Sequence, residues 1–469
     1  MVFYIIIALI AIAFLILALK KPFIALLILL FLLPLNAFLT TYIGHLFNLG
    51  ENQRLILTLW KEWVVLVLLI WAIGHLIKEK LAKQPGLKLF WFDYLILGLF
   101  VLALLTIIWG IKNPKAIAFG LRYDFEFFAL YFIGRVMRPE PHKLKTALLT
   151  VLASSLIVVI FAVLQATVLP WDFLNRFGYT YALEWTPGAD LQSSQIVGAT
   201  RDLSRILSTL SGPNQLGSYL ALISTFLLSI ILFVRKSIYK IGAGAYFLLI
   251  LLPLYRTYSR GAWLGLAVTV LALMVYLLAR LFNKKHEAPR SNAFIAMMAV
   301  VLLVVIAILG YVYFNAVNPS LLKEMFARGF STSGHIEAMK RGVELIKQNP
   351  LGLGIGSAGP ASQWSMGLSN EIITESNFLQ FGVEMGILGM LGFIVIIIAL
   401  ITKAFRQIAQ KEDIAIKILL LGSALGLIAL STNALFLHSF ADTVTSFTLF
   451  ALLGMAINNR KNIDVIQRI

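Results

Sequence analysis

The chain has 469 residues, of which 60% are hydrophobic and only 13% charged, and its mean hydropathy is +0.89. That leaves too little polar surface for a soluble protein of this length. A formal charge of +17 would suit a nucleic-acid partner, but the basic residues concentrate in every second loop, which argues against one. Cysteine is absent, so disulfides, thiolate metal sites and cysteine nucleophiles are excluded.

About 20 apolar residues cross a bilayer as a helix with every backbone group bonded internally. The apolar runs here have that length, and they predict an all-α polytopic integral membrane protein and exclude a β-barrel. The first run, 2–19, has no basic segment before it and no small-residue cleavage site, so it reads as a retained span rather than a signal peptide. Further spans are expected at 23–41, 56–77, 94–110, 116–134, 146–168, 214–234, 241–255, 262–279, 293–315, 378–402, 417–437 and 442–458. The total is about 13, or about 12 if one segment is re-entrant. The chain divides into N-terminal helices (1–115), a transmembrane core (116–458) and a tail (459–469).

Basic connections occur at 20–21, 78–88, 135–145, 235–240, 280–290, 403–417 and in the tail, and the positive-inside rule makes them cytoplasmic. The alternate connections then face outward: 42–55, 111–115, 169–213, 256–260, 316–377 and the turn at His438. Two of these, 169–213 and 316–377, are long, and long loops in a compact protein are usually functional. The second contains HIEAMKRGVELIKQ, with Ile336, Met339, Val343 and Ile346 at helical spacing and Lys340, Arg341 and Lys347 between them. This predicts an amphipathic helix on the membrane surface or over a cavity. The glycine-rich NPLGLGIGSAGPAS that follows lacks the lysine and the preceding strand of a P-loop. It reads as a flexible loop that lets backbone approach a sugar or phosphate.

Several residues on the outward side carry candidate chemistry. Arg201 and Arg205 are four apart, as are Arg256 and Arg260, so each pair shares a face if helical. A polyanion between them would remove their repulsion, and guanidinium forks match phosphate oxygens. The competing reading is interfacial arginines reaching for lipid headgroups. Glu375, in TESN before an apolar run, is a candidate proton acceptor or a helix cap, with Glu371 and Glu384 as rivals. Glu384 lies inside a span, where bonding to a neighbouring helix is expected. Within LRYDFEFF, Arg122 and Glu126 are expected to pair in the membrane beside Asp124. His335, and His438 with Asp442, are acid/base candidates or interfacial polar contacts. No cluster has metal-ligand spacing, which predicts metal independence.

RILSTLSGPNQLGSYLA, YSRGAWLGL and the stretch from NPLGLGIGS through ESNFLQFGVEMGILG resemble, in this order, the three signature regions of the O-antigen ligase and O-antigen polymerase superfamily. The resemblance implies an inverting glycosyltransferase of the GT-C type in a bacterial cytoplasmic membrane, taking glycan from an undecaprenyl-diphosphate carrier on the outer face. Arg205 and Arg260 match the family's essential arginines, and Glu375 stands where ligases carry a histidine. A carboxylate there fits a polymerase, or a ligase for another acceptor. The implied roles are diphosphate binding by Arg205 and Arg260, supported by Arg201 and Arg256, and proton acceptance by Glu375, with no cofactor. The implied partners are the lipid-linked donor, a glycan or glycolipid acceptor, membrane lipids and a candidate chain-length regulator. A transporter or flippase of lipid-linked oligosaccharide is the alternative. It would favour internal repeats and charges deep in the core, whereas the candidate charges lie at one face. A peptidoglycan-type glycosyltransferase of the shape and division family is disfavoured by the ordered PN, SRG and ESNFLQ regions.

Overall fold

Proline and short polar caps start many of the helices, and the apolar runs between them do the rest. The computed structural model describes residues 2–179, 181–182, 194–195, 205–282, 329–366 and 372–457. The expected span at 293–315, Arg201, Glu371 and the tail 459–469 lie outside the described residues.

In chain order the helices are α1 (Val2–Lys20), α2 (Pro22–Leu32), α3 (Asn36–Leu46), α4 (Glu51–Thr58), α5 (Trp60–Leu81), α6 (Trp91–Thr106), α7 (Pro114–Met137) and α8 (Pro141–Thr167). They continue with α9 (Pro213–Phe233), α10 (Ser237–Arg256), α11 (Arg260–Phe282), α12 (Gly329–Gln348), the single turn α13 (Gln363–Met366), α14 (Asn377–Ile408), α15 (Ile414–Ala434) and α16 (Thr443–Ala456). Proline opens α2, α7, α8 and α9, where its missing N–H costs nothing. Asn113, Asp413 and Asp442 cap α7, α15 and α16 through their side chains. Each expected span other than 293–315 is occupied by helix, and among the described residues nine segments are long and apolar enough to cross a membrane. The protein is an all-α polytopic membrane protein. A two-residue parallel pairing, Tyr181–Ala182 with Ser194–Gln195, is the one strand contact among the described residues.

The core forms around α9, which packs on α10, α11 and α15 and is buried along nearly its whole length. Small residues allow the closest approaches. A Cβ on Gly454 of α16 would lie 2.2 Å from the Tyr131 carbonyl oxygen of α7, and one on Gly134 would meet the Ala451 carbonyl at 2.8 Å. The N-terminal α1, by contrast, exposes most of its apolar surface, as a lipid-facing helix does.

The two ends of the bundle gather different residues. At one end Arg138 pairs with Glu79 at 2.9 Å, Arg135 donates to the Lys88 carbonyl at 2.7 Å and pairs with Asp93, and Lys403 lies over the Phe90 ring. These contacts gather basic connections. At the other end the Ile206 N–H donates to the Arg256 carbonyl at 3.3 Å, and Ser376 Oγ donates to the Ala434 carbonyl at 3.2 Å. The segments carrying Arg205, Arg256, Arg260 and Glu375 therefore meet there.

The glycine-rich loop departs from its expected openness. It is buried from Gly354 to Gly359 and threads between the α6–α7 corner and a break in α14 at Gly386, where φ is 71°. The break releases the Val383 and Glu384 carbonyls, which accept from Leu353 N at 2.7 Å and Gly354 N at 3.0 Å, while Ile387 N donates to the Pro350 carbonyl at 3.1 Å. Backbone groups orphaned by the kink are thus satisfied by the loop. Its glycines serve backbone-on-backbone packing rather than a ligand: a Cβ on Gly356, at φ 82°, would lie 2.2 Å from the Ala116 carbonyl oxygen. Gly356→Ala is expected to destabilise the protein by about 1–3 kcal/mol from backbone strain, and further through overlap. A thermal midpoint in detergent equal to that of wild type would contradict this. Gly86→Ala, in open space, is the control.

Candidate functional site

Arg205 is buried, with 7% of its surface exposed, and is held from two sides. Its Nε donates to the Thr257 carbonyl at 2.7 Å and its Nη2 to Asn214 Oδ1 at 2.6 Å. Thr257 follows the last residue of α10, and Asn214 lies in the first turn of α9, so the guanidinium sits where a helix N-terminus and a tight turn converge. That N-terminus adds unpaired N–H groups and positive partial charge.

Arg256 and Arg260 do not share a helix face, contrary to the expectation from their spacing. Arg256 ends α10, Tyr258 takes φ 51°, and Arg260 starts α11. The chain reverses between them, and both side chains remain half-buried. Arg260 is near enough to His335 for its charge to act on the ring.

Glu375 does not cap α14. Ser376 occupies the cap position in extended conformation and α14 begins at Asn377. Glu375 itself holds left-handed backbone, φ 51°, and its Oε2 lies 3.2 Å from Nδ1 of His335 on α12. Ser208, Tyr258 and Glu375 each place one strained non-glycine residue in one of the three converging segments. Such conformations cost about 1–3 kcal/mol each and cluster at functional sites. His438, in the turn between α15 and α16, sets Nε2 3.2 Å from Thr374 Oγ1 and feels the Glu375 charge. Four segments thus bring Glu375 with Thr374, His335, Arg260 and His438 together.

The two histidines behave differently. The Glu375 carboxylate facing Nδ1 raises the pKa of His335, against burial and Arg260. Burial drives His438 down to about 4, with Glu375 opposing, so it is uncharged at neutral pH. Beside the Glu375–His335 pair a mostly apolar groove of about 580 Å³ opens between α12 and α14, lined by Ile336, Met339, Val343, Phe378, Leu379 and Leu435 together with Lys340, Glu344, Lys347 and Ser376. The amphipathic helix expected over 335–348 therefore covers one wall of a cavity. Ile346 anchors it against Val383 and Leu379.

Other expectations are met in part. Glu384 is fully buried and accepts from Gly356 N at 3.1 Å and Ala358 N at 3.2 Å, with the Asp124 carboxyl of α7 against it, so it braces the glycine loop rather than facing the site. Arg122 lies 2.5 Å from Glu62 of α5 and only 3.8 Å from Glu126, so its nearer partner is across helices. Asp442 caps α16 through Thr445 instead of pairing with His438. Glu62 and Thr374 were not legible as partners, whereas Asn214 stands inside SGPNQLG. Among the described residues no group of three acidic or histidine side chains has metal-binding geometry.

Residues 245–394 match the family described as O-Antigen ligase. Over this segment the chain is similar to the O-antigen ligase/polymerase superfamily. The matched segment runs from α10 into α14 and contains Arg256, Arg260, His335 and Glu375, with Arg205 outside it. The superfamily implies O-antigen ligase/polymerase-type activity of a glycosyltransferase kind in a multi-pass membrane protein, with a lipid-linked glycan and an acceptor as substrates. No curated protein matches the chain.

Proposed function

We propose that the protein transfers or polymerises glycan from an undecaprenyl-diphosphate-linked donor to a sugar hydroxyl, at the outer face of a bacterial cytoplasmic membrane. The observation that carries this reading is the Glu375–His335 pair beside Arg260, at the end of the bundle where Arg205 is clamped. Arg205 and Arg260, supported by Arg256 and by Arg201, bind the diphosphate and stabilise the charge that grows on it as the glycosidic bond breaks. Arg205 is pre-positioned by its two anchors, so little reorganisation is needed when charge develops. The N-terminus of α9 favours the same anion. The Glu375–His335 pair takes the proton of the acceptor hydroxyl, whose oxygen attacks the anomeric carbon opposite the leaving diphosphate and inverts it. A lipid diphosphate is an activated leaving group, so the mechanism calls on no nucleotide or cofactor. The apolar groove between α12 and α14 suits the lipid portion of a substrate.

One observation favours a transporter. Lys61, Glu62, Arg122 and Glu126 form a charged cluster inside the spans, where ionisable groups mark translocation paths in many carriers. One assay separates the readings: purified protein reconstituted with a lipid-diphosphate-linked oligosaccharide and no other acceptor, with products resolved by size. A ladder of longer lipid-linked glycans is expected of a polymerase, and transfer only after an acceptor glycolipid is added is expected of a ligase. No transfer under either condition would return transport to the front.

A further inference from the structure

The contact between Glu375 and His335 has a direction. Nδ1 of His335 is sealed from solvent and lies at ion-pair distance, 3.2 Å, from Glu375 Oε2, with no other partner among the described residues and short of full hydrogen-bond alignment, so a small turn of the ring completes the bond; the side chain as a whole stays 34% exposed. Its exposure therefore lies on the rest of the ring. A carboxylate that accepts from Nδ1–H fixes the tautomer in which Nε2 carries the lone pair, and it stabilises the imidazolium formed when Nε2 takes a proton. The backbone at Glu375 adds to this. Its left-handed conformation comes just before the cap of α14, and the carboxylate that would cap the helix is committed to α12 instead. The strain is maintained on both sides, by the Thr374 hydroxyl bond to the Ser376 carbonyl at 3.0 Å and the Ser376 hydroxyl bond to the Ala434 carbonyl. The ring rides on a helix whose far end is docked through Ile346.

We propose that Nε2 of His335, rather than the carboxylate of Glu375, receives the proton of the acceptor hydroxyl, and that Glu375 orients the ring. The inference rests on the glycan-transfer reading above. In the step, the acceptor O–H bond breaks and its proton passes to Nε2, the acceptor oxygen forms a bond to the anomeric carbon, and the bond from that carbon to the phosphate oxygen breaks with its electron pair leaving on the lipid diphosphate. The imidazolium then loses its proton to solvent. The histidine that the family resemblance leads one to expect at position 375 is thus supplied from α12.

Two charges act on the ring: Glu375 from the segment before α14 raises its pKa and Arg260 from α11 lowers it. His438, from the α15–α16 turn, faces Thr374 and feels Glu375. Nε2 accepts only when unprotonated, so the rate falls as pH drops through the raised value. The test is the pH dependence of transfer with the lipid-linked oligosaccharide isolated from the source membrane, for wild type, His335→Gln and Glu375→Gln. Wild type is expected to lose activity below a midpoint that lies above the ordinary histidine value of about 6.5. Glu375→Gln moves that midpoint to lower pH, and His335→Gln lowers the rate by about 10²- to 10⁴-fold and abolishes the limb. A wild-type limb in the carboxylate range near 4, or His335→Gln retaining the wild-type limb, would overturn the assignment in favour of Glu375. If His335→Gln fails to fold, wild type and Glu375→Gln decide by the position of the limb alone. Absence of transfer by wild type at every pH would instead count against the glycan-transfer reading itself.

Discussion

Glu375→Gln is expected to lower glycan transfer by about 10²- to 10⁴-fold, with the affinity for the lipid-diphosphate donor little changed. Glutamine keeps the size of the side chain and an oxygen that accepts from Nδ1 of His335. It removes the negative charge that stabilises the imidazolium, so the loss falls on the chemical step rather than on donor binding. Initial rates from size-resolved products, set beside a donor-binding titration, separate the two. A rate within twofold of wild type would remove position 375 from the chemistry.

Glu375→Gly sharpens the point, because glycine adopts φ 51° without penalty. Releasing that strain is expected to offset the lost side-chain contact and leave the thermal midpoint at or above that of wild type, while transfer is still lost. A variant at least as stable and yet inactive would mean that the strained backbone is retained for chemistry. A clear fall in midpoint would mean that the His335 contact holds the end of the bundle together.

Arg205→Lys is the second large effect, with an expected loss of about 10²- to 10³-fold in rate. A guanidinium has five donors in a planar fork, and here the fork already engages the Thr257 carbonyl and Asn214 Oδ1. A lysine carries its three donors on one nitrogen and cannot bridge these anchors while also addressing a phosphate. The same charge would remain, so a loss on this substitution isolates geometry from charge. Because Arg205 is buried between α9 and the α10–α11 turn, the thermal midpoint must be followed alongside. A fall in rate with the midpoint preserved supports diphosphate binding, and unchanged rate and donor affinity would exclude it. Arg260→Lys acts on the same developing charge, so the double variant is expected to lose less than the product of the two single losses.

How legible all this was depends on the range of the interactions. Helix positions follow from runs of apolar residues and from local starts such as Pro22, Pro114, Pro141 and Pro213, so the membrane architecture could be read from spacing alone. Alternating basic loops separated the two ends of the bundle, and the three motif segments pointed to Arg205, Arg260 and Glu375. The amphipathic period of 335–348 likewise survives in α12. These features are local, and a bilayer imposes few ways of satisfying them.

Tertiary structure decided what each candidate touches. Spacing paired Arg122 with Glu126, but the rotation and depth of α5 bring Glu62 nearer. Spacing put Arg256 and Arg260 on one face, but a chain reversal at Tyr258 parts them. Composition made the glycine loop look open, but its glycines let it lie backbone to backbone against the α6–α7 corner and fill the break in α14. Glu375 had the sequence setting of a cap, and its partner His335 comes from a helix far along the chain. The sequence by itself thus determined which segments cross the membrane and which charges gather at one end. Pairing among those charges was left to packing, because the azimuth and height of one helix against another depend on every side chain between them and leave no trace in local spacing.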